Sequence, residues 1–192
     1  DQKIHVAPAS RLAVGVRAEK DDLFGIELLR DVFGKRADGF HALQSLVVFS
    51  EAGDRLTFSE APDFVLSVEG PFADKLPAPG DNIIIKAARA FNPDRGVAIV
   101  LEKNLPVASG LGGGSADAAA ALRGLNLLWD LGQSNEQLME LAATLGSDVP
   151  VCVLSRPAMM EGRGEVVTPL QPLPQLAMVL VNPAIMLPTV DV

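Results

Sequence analysis

The segment at residues 106–121, PVASGLGGGSADAAAA, constrains the fold more than any other part of the chain. It places four glycines within five residues directly ahead of an alanine run. Glycine costs backbone entropy and a helix of alanines has little side chain to bury, so something must require a bare backbone here. GVAIVLEKNLP before it predicts a strand, and ADAAAALRGLNLLWDLG predicts a helix that stops near Gly132.

A strand, a glycine-rich turn and a helix together form an anion site, because the first helical turn carries unpaired N–H groups and a partial positive charge. Ser109 and Ser115 can add hydroxyl contacts, and a hydroxyl near phosphates can also help to hold Mg²⁺. The alternative is a flexible surface loop, which is the usual role of glycine clusters. The apolar strand and the strongly helical run on either side favour the phosphate site.

Neither common phosphate-loop pattern fits. No lysine follows the glycines, so the Walker pattern is absent. The dinucleotide pattern G-x-G-x-x-G also fails, since Ser115 stands where the last glycine belongs. This mismatch disfavours a nicotinamide-dependent oxidoreductase.

Composition sets the remaining bounds. A chain of 192 residues that is 48% apolar can build one substantial domain. The formal charge of −8 disfavours nucleic acid as a partner but does not exclude a small anionic ligand. Cys152 is the single cysteine, so no disulfide framework is possible, which suits a reducing cytosol. The chain shows no secretory signal and no run of about 20 apolar residues. We therefore expect a soluble, cytoplasmic protein with no membrane partner.

The pattern along the chain predicts an α+β fold, with a mixed sheet backed by helices. Short β-branched and aromatic runs between residues 40 and 70 predict antiparallel strands, with Asp54 in a turn. NIIIKAARAF predicts a helix, and SNEQLMELAATLG predicts another, opened by a capping box of Ser134 and Gln137. DVPVCVL opens a further short element, and LAMVLVNPAI reads as a buried strand.

Three ordered segments resemble one family. PVASGLGGGSADAAAAL resembles the phosphate-binding motif of the GHMP small-molecule kinases. GKRADGFHALQSLVVF, at 34–49, is similar to the R-x-D-G-Y-H-x-L pattern of the 4-diphosphocytidyl-2-C-methyl-D-erythritol kinases within that superfamily. Residues 145–174 resemble their third segment, and LVNPAIMLPT resembles their closing strand. The resemblance implies a GHMP N-terminal, ATP-binding domain over residues 1–192, which is a ribosomal protein S5 domain 2-like fold.

The resemblance also implies a reaction, namely transfer of the γ-phosphoryl group of ATP to the 2-hydroxyl of the cytidine-diphosphate-linked substrate, with ATP and Mg²⁺ as cofactors. Asp148 matches the catalytic base; on the residues alone, an N-cap role would be equally good. Phe40 and His41 match the positions that recognise the cytidine base, and Ser115 is the candidate Mg²⁺ ligand. The residues implied in ATP binding are Pro106, Val107, Ala108, Ser109, Gly110, Leu111, Gly112, Gly113, Gly114, Ser115 and Ala116.

The resemblance breaks at two places. The family opens with Ala-Pro-Ala-Lys-Ile-Asn-Leu, whereas VAPASRL at 6–12 has Ser10 in place of the lysine and lies too far from the next segment. Counting back from Gly34 instead puts Gly25 at that position, so residues 10–33 are atypical. The family also continues into a C-terminal GHMP domain, which this chain lacks or does not include. We therefore expect weak or absent turnover from these 192 residues alone, with a nucleotide-binding but catalytically impaired protein as the alternative. Oligomeric state is left open.

Overall fold

The computed structural model describes residues 25–35, 41–50, 52–76, 82–91, 95–107, 112–174 and 177. In this part of the chain, seven strands and four α-helices form an α+β fold, as predicted. The strands are β1 (Gly25–Lys35), β2 (His41–Phe49), β3 (Arg55–Ala61), β4 (Phe64–Glu69), β5 (Gly96–Glu102), β6 (Ala158–Gly162) and β7 (Val166–Pro169). The helices are α1 (Ile83–Ala90), α2 (Gly113–Leu128), α3 (Asn135–Ala143) and α4 (Val149–Leu154).

The strands form two sheets. The first has the order β1-β2-β6-β7, and every pair in it is antiparallel. The second has the order β3-β5-β4, in which β3 is antiparallel to β5 and β4 is parallel to it. The prediction of antiparallel strands throughout residues 40–70 is therefore wrong for β4. A parallel pair needs a long crossover, and the stretch between β4 and β5 provides it because it contains α1.

Helix α2 lies in the middle of the fold, in contact with α1, α3, α4 and β3. Its residues from Ala116 to Leu122 are all buried, as is Leu125. The small side chains allow neighbouring elements to approach closely: a Cβ on Gly124 would lie only 2.3 Å from Cε2 of Phe58 on β3. The alanine run therefore builds a helix that is buried on nearly every side.

The other predicted helices are confirmed. Asn82 caps α1 by accepting the N–H of Ile84 at 2.9 Å. Ser134 and Gln137 form the predicted capping box at the start of α3. Helix α2 ends at Leu128, and Gly132, at φ +63°, lies just beyond it.

Two sequence expectations fall on undescribed residues. Of LAMVLVNPAI (176–185), only Ala177 lies within the described part of the chain, so the buried strand stays a prediction. Of the atypical segment 10–33, the structure describes only the backbone from Gly25 onward, as part of β1. Among the helices of the described part, none is long and apolar enough to cross a bilayer.

Candidate functional site

The glycine segment leads into the start of α2. Gly112 is the N-cap of the helix and has a left-handed backbone, with φ 72° and ψ 12°. The first helical hydrogen bond runs from the N–H of Ala116 to the carbonyl of Gly112, at 3.0 Å. The N–H groups of Gly113, Gly114 and Ser115 precede that bond and have no acceptor within the helix. Ala108, Ser109, Gly110 and Leu111 lie outside the described residues.

The first turn of α2 is accessible, unlike the buried run from Ala116 to Leu122 that follows it. Gly114 is exposed, and a Cβ built on it would have no atom within 4 Å. Gly112, Gly113 and Ser115 are half-buried, whereas Ala116 is buried. Among the described residues, the N–H groups of Gly113, Gly114 and Ser115 have no acceptor, and they lie at the positive end of a sixteen-residue helix beside the exposed Gly114, an arrangement that suits an anion.

Asp148 is the N-cap residue of α4, the helix that packs against α2. Its side chain makes no capping hydrogen bond, so it does not play the structural role that the sequence also allowed. The carboxylate is exposed, and the hydroxyl of Ser147 donates to its Oδ1 at 3.0 Å. Oδ2 has no hydrogen-bond partner among the described residues. Asp148 thus has a carboxylate oxygen available to a ligand.

Two contacts hold the segment around Asp148. The guanidinium of Arg123 on α2 donates to the carbonyl of Cys152 on α4 at 2.7 Å, which ties the two helices together. On the other side, the turn between β6 and β7 reaches Ser147. Gly164, at φ +115°, lies so close that a Cβ there would be 2.5 Å from the carbonyl oxygen of Ser147. The backbone ahead of Asp148 is therefore packed against a turn that only glycine fits.

A buried ionic cluster lies next to Gly113, at the start of α2. The ammonium of Lys103, just after β5, donates to Oδ2 of Asp54 at 2.5 Å and to Oδ2 of Asp117 on α2 at 2.9 Å. Asp54 also accepts, through Oδ1, the backbone N–H groups of Asn104 at 2.6 Å and Leu105 at 2.8 Å. The prediction of Asp54 as an ordinary turn residue misses this role, because its partners are about fifty residues away in sequence.

The cluster holds two carboxylates and one ammonium, and all three residues are 3–6% exposed. Burial raises the pKa of Asp117 to about 7, with a further rise from the Asp54 charge, while Lys103 acts in the opposite direction. Burial alone would lower the pKa of Lys103, but the two carboxylates outweigh it and the net shift is upward. Lys103 is therefore firmly charged, and Asp117 can gain a proton near neutral pH.

Sequence reasoning missed Lys103 and Asp117 as site residues. A signal was present for Asp117, because it interrupts an alanine run. A charged side chain within a run of small apolar residues indicates a buried partner. What the sequence did not contain was the identity of that partner.

The predicted substrate residues are only partly described. Phe40 lies outside the described residues, and His41 begins β2, where its backbone pairs with Lys35 of β1. Ser10 also lies outside them, and Gly25 is the first residue of β1.

For the predicted Mg²⁺ site, the described part of the glycine segment offers the hydroxyl of Ser115. Ser115 is half-buried in the first turn of α2, beside the exposed Gly114. Within the described ranges, no group of three or more His, Cys, Asp or Glu residues could hold a metal ion. Such a donor set fits Mg²⁺ only as an ion that takes most of its ligands from phosphates and water, which is how Mg²⁺ commonly binds with nucleotides.

Comparison with known proteins agrees with this arrangement. Residues 82–156 match the model of the GHMP kinases N terminal domain. A 4-diphosphocytidyl-2-C-methyl-D-erythritol kinase of Parvibaculum lavamentivorans is 53% identical over 171 residues, covering 87% of this chain and 59% of that protein. One from Ruegeria pomeroyi is 49% identical over 164 residues, covering 85% and 58%. The chain thus spans about three-fifths of the length of the curated relatives it matches.

Solved structures show the same fold. A crystal structure of 4-(cytidine 5'-diphospho)-2C-methyl-D-erythritol kinase matches with a TM-score of 0.64 and 35% identity, over 78% of this chain and 53% of that chain. A mevalonate kinase from Staphylococcus aureus matches with a TM-score of 0.56 at 18% identity, over 79% and 54%, which bears on the fold alone. The chain therefore belongs to the GHMP kinase family, alongside the 4-diphosphocytidyl-2-C-methyl-D-erythritol kinases.

Proposed function

We propose that the chain is the nucleotide-binding part of a kinase that transfers the γ-phosphoryl group of ATP to the 2-hydroxyl of 4-diphosphocytidyl-2-C-methyl-D-erythritol. The observation that carries this proposal is 53% identity, over 87% of the chain, to the Parvibaculum protein named 4-diphosphocytidyl-2-C-methyl-D-erythritol kinase. The accessible start of α2, whose first N–H groups have no acceptor within the helix, supports it, because phosphoryl transfer depends on positioning and charge stabilisation.

In this proposal, residues 106–116 bind the triphosphate. The N–H groups of Gly113, Gly114 and Ser115 donate to phosphate oxygens, and the helix dipole stabilises their charge. Mg²⁺, when bound, supplies further charge neutralisation at the phosphates. Ser115 is the residue whose hydroxyl would hold the ion.

Asp148 is the proposed base. An exposed carboxylate with an available Oδ2 can accept the proton of an alcohol as the hydroxyl oxygen attacks the γ-phosphorus, while the bond from that phosphorus to the β,γ-bridging oxygen breaks and ADP leaves. The hydroxyl of Ser147 would orient the carboxylate through Oδ1. Phe40 and His41 remain the proposed contacts to the cytosine base. The aromatic ring of Phe40 would provide a stacking surface, and His41 a hydrogen-bonding group.

A nucleotide-binding protein with impaired transfer is the second candidate. Gly25 offers no amine at the position where counting back from Gly34 places the family's lysine, and it begins β1 in the structure. In that case the chain would bind ATP through α2 but stabilise the transferring phosphoryl group poorly.

The experiment measures formation of phosphorylated product from [γ-³²P]ATP, Mg²⁺ and the cytidine-diphosphate substrate. It uses this chain and, in parallel, a fusion to the C-terminal part of the Parvibaculum relative. We expect product from the fusion, little from the chain alone, and none when Asp148→Asn is introduced. Asp63→Asn, an exposed aspartate in the turn between β3 and β4, is the control that keeps activity. If nucleotide binds but the fusion makes no product, the impaired protein is the correct assignment; turnover unaffected by Asp148→Asn would contradict Asp148 as the base.

A further inference from the structure

The buried cluster of Asp54, Lys103 and Asp117 occupies a particular place in the chain. Lys103 lies directly before residues 104–116, and Asp117, in the second turn of α2, lies directly after them. The contact between Lys103 Nζ and Asp117 Oδ2 therefore joins the two ends of that segment across fourteen positions of sequence. Every residue proposed to bind ATP lies between these two ends.

Asp54 fixes the first of those ends in a second way. Its Oδ1 accepts the backbone N–H groups of Asn104 and Leu105, the residues that follow Lys103, while its Oδ2 accepts from Lys103 itself. Three consecutive residues are thus held by one carboxylate. The direction in which the chain leaves β5 is set by these bonds.

The cluster also touches the start of α2. A Cβ built on Gly113 would lie 3.6 Å from Nζ of Lys103 and 3.7 Å from Oδ2 of Asp54. Gly113 carries one of the N–H groups that precede the first helical bond. The ionic groups therefore lie directly behind the backbone that would face a phosphate.

Stability alone is a weak reason for such a cluster. Removing three charged groups from water carries a large desolvation penalty, and buried ion pairs are often no more stabilising than well-packed apolar residues of similar volume. This cluster is still less favourable, because it contains two carboxylates for one ammonium. Its hydrogen bonds join the two residues that flank 104–116 and hold the backbone at the start of that segment. Bonds of this kind fix the position of the segment.

We propose that Asp54, Lys103 and Asp117 are positioning residues, a loop clasp that holds the two ends of residues 104–116 at the separation needed to bind a nucleoside triphosphate. The inference rests on the proposed function, because it assumes that the segment binds ATP. None of the three residues has to touch the nucleotide, since each acts through the backbone that it holds.

A comparison of two substitutions tests the clasp. Asp117→Asn keeps the size of the side chain and an oxygen that can accept from Lys103, whereas Asp117→Ala removes the contact. Asp117→Ala leaves the pair of Asp54 and Lys103 intact and neutral, so it creates no uncompensated charge and should fold. Glu102→Gln is the matched control, because it breaks the exposed ion pair with Arg55 one residue before Lys103.

The measurement is the Kd for Mg·AMPPNP by calorimetry, together with the Tm of the nucleotide-free proteins. We expect Asp117→Ala to raise the Kd roughly tenfold, since the lost contact is a hydrogen bond to a charged group. Asp117→Asn and Glu102→Gln should stay close to the unchanged protein. The Tm of Asp117→Ala should not fall, because a carboxylate that is costly to bury has been removed. A Kd unchanged in Asp117→Ala, or a raised Kd accompanied by a lower Tm, would show a merely structural role and overturn the proposal.

Hydrogen exchange gives a readout that needs no substitution. The amides of Asn104 and Leu105 should be protected before nucleotide is added, and adding Mg·AMPPNP should not change their protection. Exchange of these amides at the rate of exposed ones in the nucleotide-free protein would contradict the clasp. If the unchanged protein does not bind Mg·AMPPNP at all, the proposed function fails, a result distinct from binding that is insensitive to Asp117→Ala.

Discussion

The charge of Asp117 depends strongly on its surroundings. It lies in the second turn of α2, next to a run of buried alanines, and it shares one ammonium with Asp54. Burial raises the pKa of Asp117 to about 7, because the stabilisation of its charge by Lys103 does not offset the loss of solvent and the repulsion from Asp54. A side chain that is normally ionised at neutral pH is therefore close to titration in the folded protein.

We expect this residue to make stability depend on pH. The pKa of Asp117 is raised from 3.8 in the unfolded chain to about 7, so the folded state binds the proton more tightly. Its contribution to stability is therefore fully present below pH 3.8 and is lost as the pH rises through about 7. Relative to Asp117→Asn, the free energy of unfolding should fall by at most about 1.4 kcal/mol per pH unit in that window. Urea unfolding of both proteins between pH 5 and pH 8 measures the difference, and parallel curves would refute the shift.

Gly124 shows a second dependence of one residue on its neighbours. Alanine is a better helix former than glycine, yet a Cβ at Gly124 would overlap the ring of Phe58 on β3 at 2.3 Å. We expect Gly124→Ala to lower the free energy of unfolding by about 1–3 kcal/mol, the typical cost of overpacking a core. Gly114→Ala, where a Cβ meets nothing within 4 Å, is the control in the same helix and should not destabilise. Denaturant titration separates the two, and equal effects would argue against the close contact.

At the scale of elements, local sequence signals predicted the helices and caps that interactions between neighbouring residues determine. Nearby residues account for the helix over 83–90, the helix after the glycines and the capping box at Ser134. The structure confirms all three. The parallel pairing of β4 and the role of Asp54 could not be predicted in this way. Both depend on which distant residues come together, and neither the hydrophobic periodicity of a segment nor its turn residues encode that information.

The turn between β6 and β7 supports the start of α4. Gly164 contacts the carbonyl of Ser147, the residue before Asp148. We expect Gly164→Ala to displace that backbone and lower kcat at least about tenfold, with less effect on the KM for ATP, because a small misplacement of a reacting group has a large effect on rate. Gly146→Ala, whose Cβ would meet only Val149 at 3.4 Å, is the matched control and should keep kcat. Steady-state kinetics of the fusion protein measures both, and an unchanged kcat in Gly164→Ala would contradict a supporting role for the turn.

For the whole molecule, the single tryptophan reports on the packing between elements. Trp129 follows α2, is 3% exposed, and contacts Phe64 of β4 and Phe91 after α1 in edge-to-face geometry. Separating any of these three elements would expose its ring to water.

We therefore expect tryptophan emission to be blue-shifted in the native protein and to change in one cooperative step on unfolding. The midpoint should coincide with the loss of helical circular dichroism in the same urea titration. Two separate midpoints would show that the second sheet and α1 unfold independently of α2.

The burial of α2 changes abruptly near its start, from accessible residues at 112–115 to an unbroken run of buried ones from Ala116 to Leu122. Mutational tolerance should change at the same boundary. Substitutions before Ala116 alter how the protein meets its ligand and leave the core intact, whereas substitutions after it alter the core first. Ligand affinity and thermal stability thus depend on adjoining stretches of one helix. Substitutions can therefore change the affinity during evolution without lowering the stability.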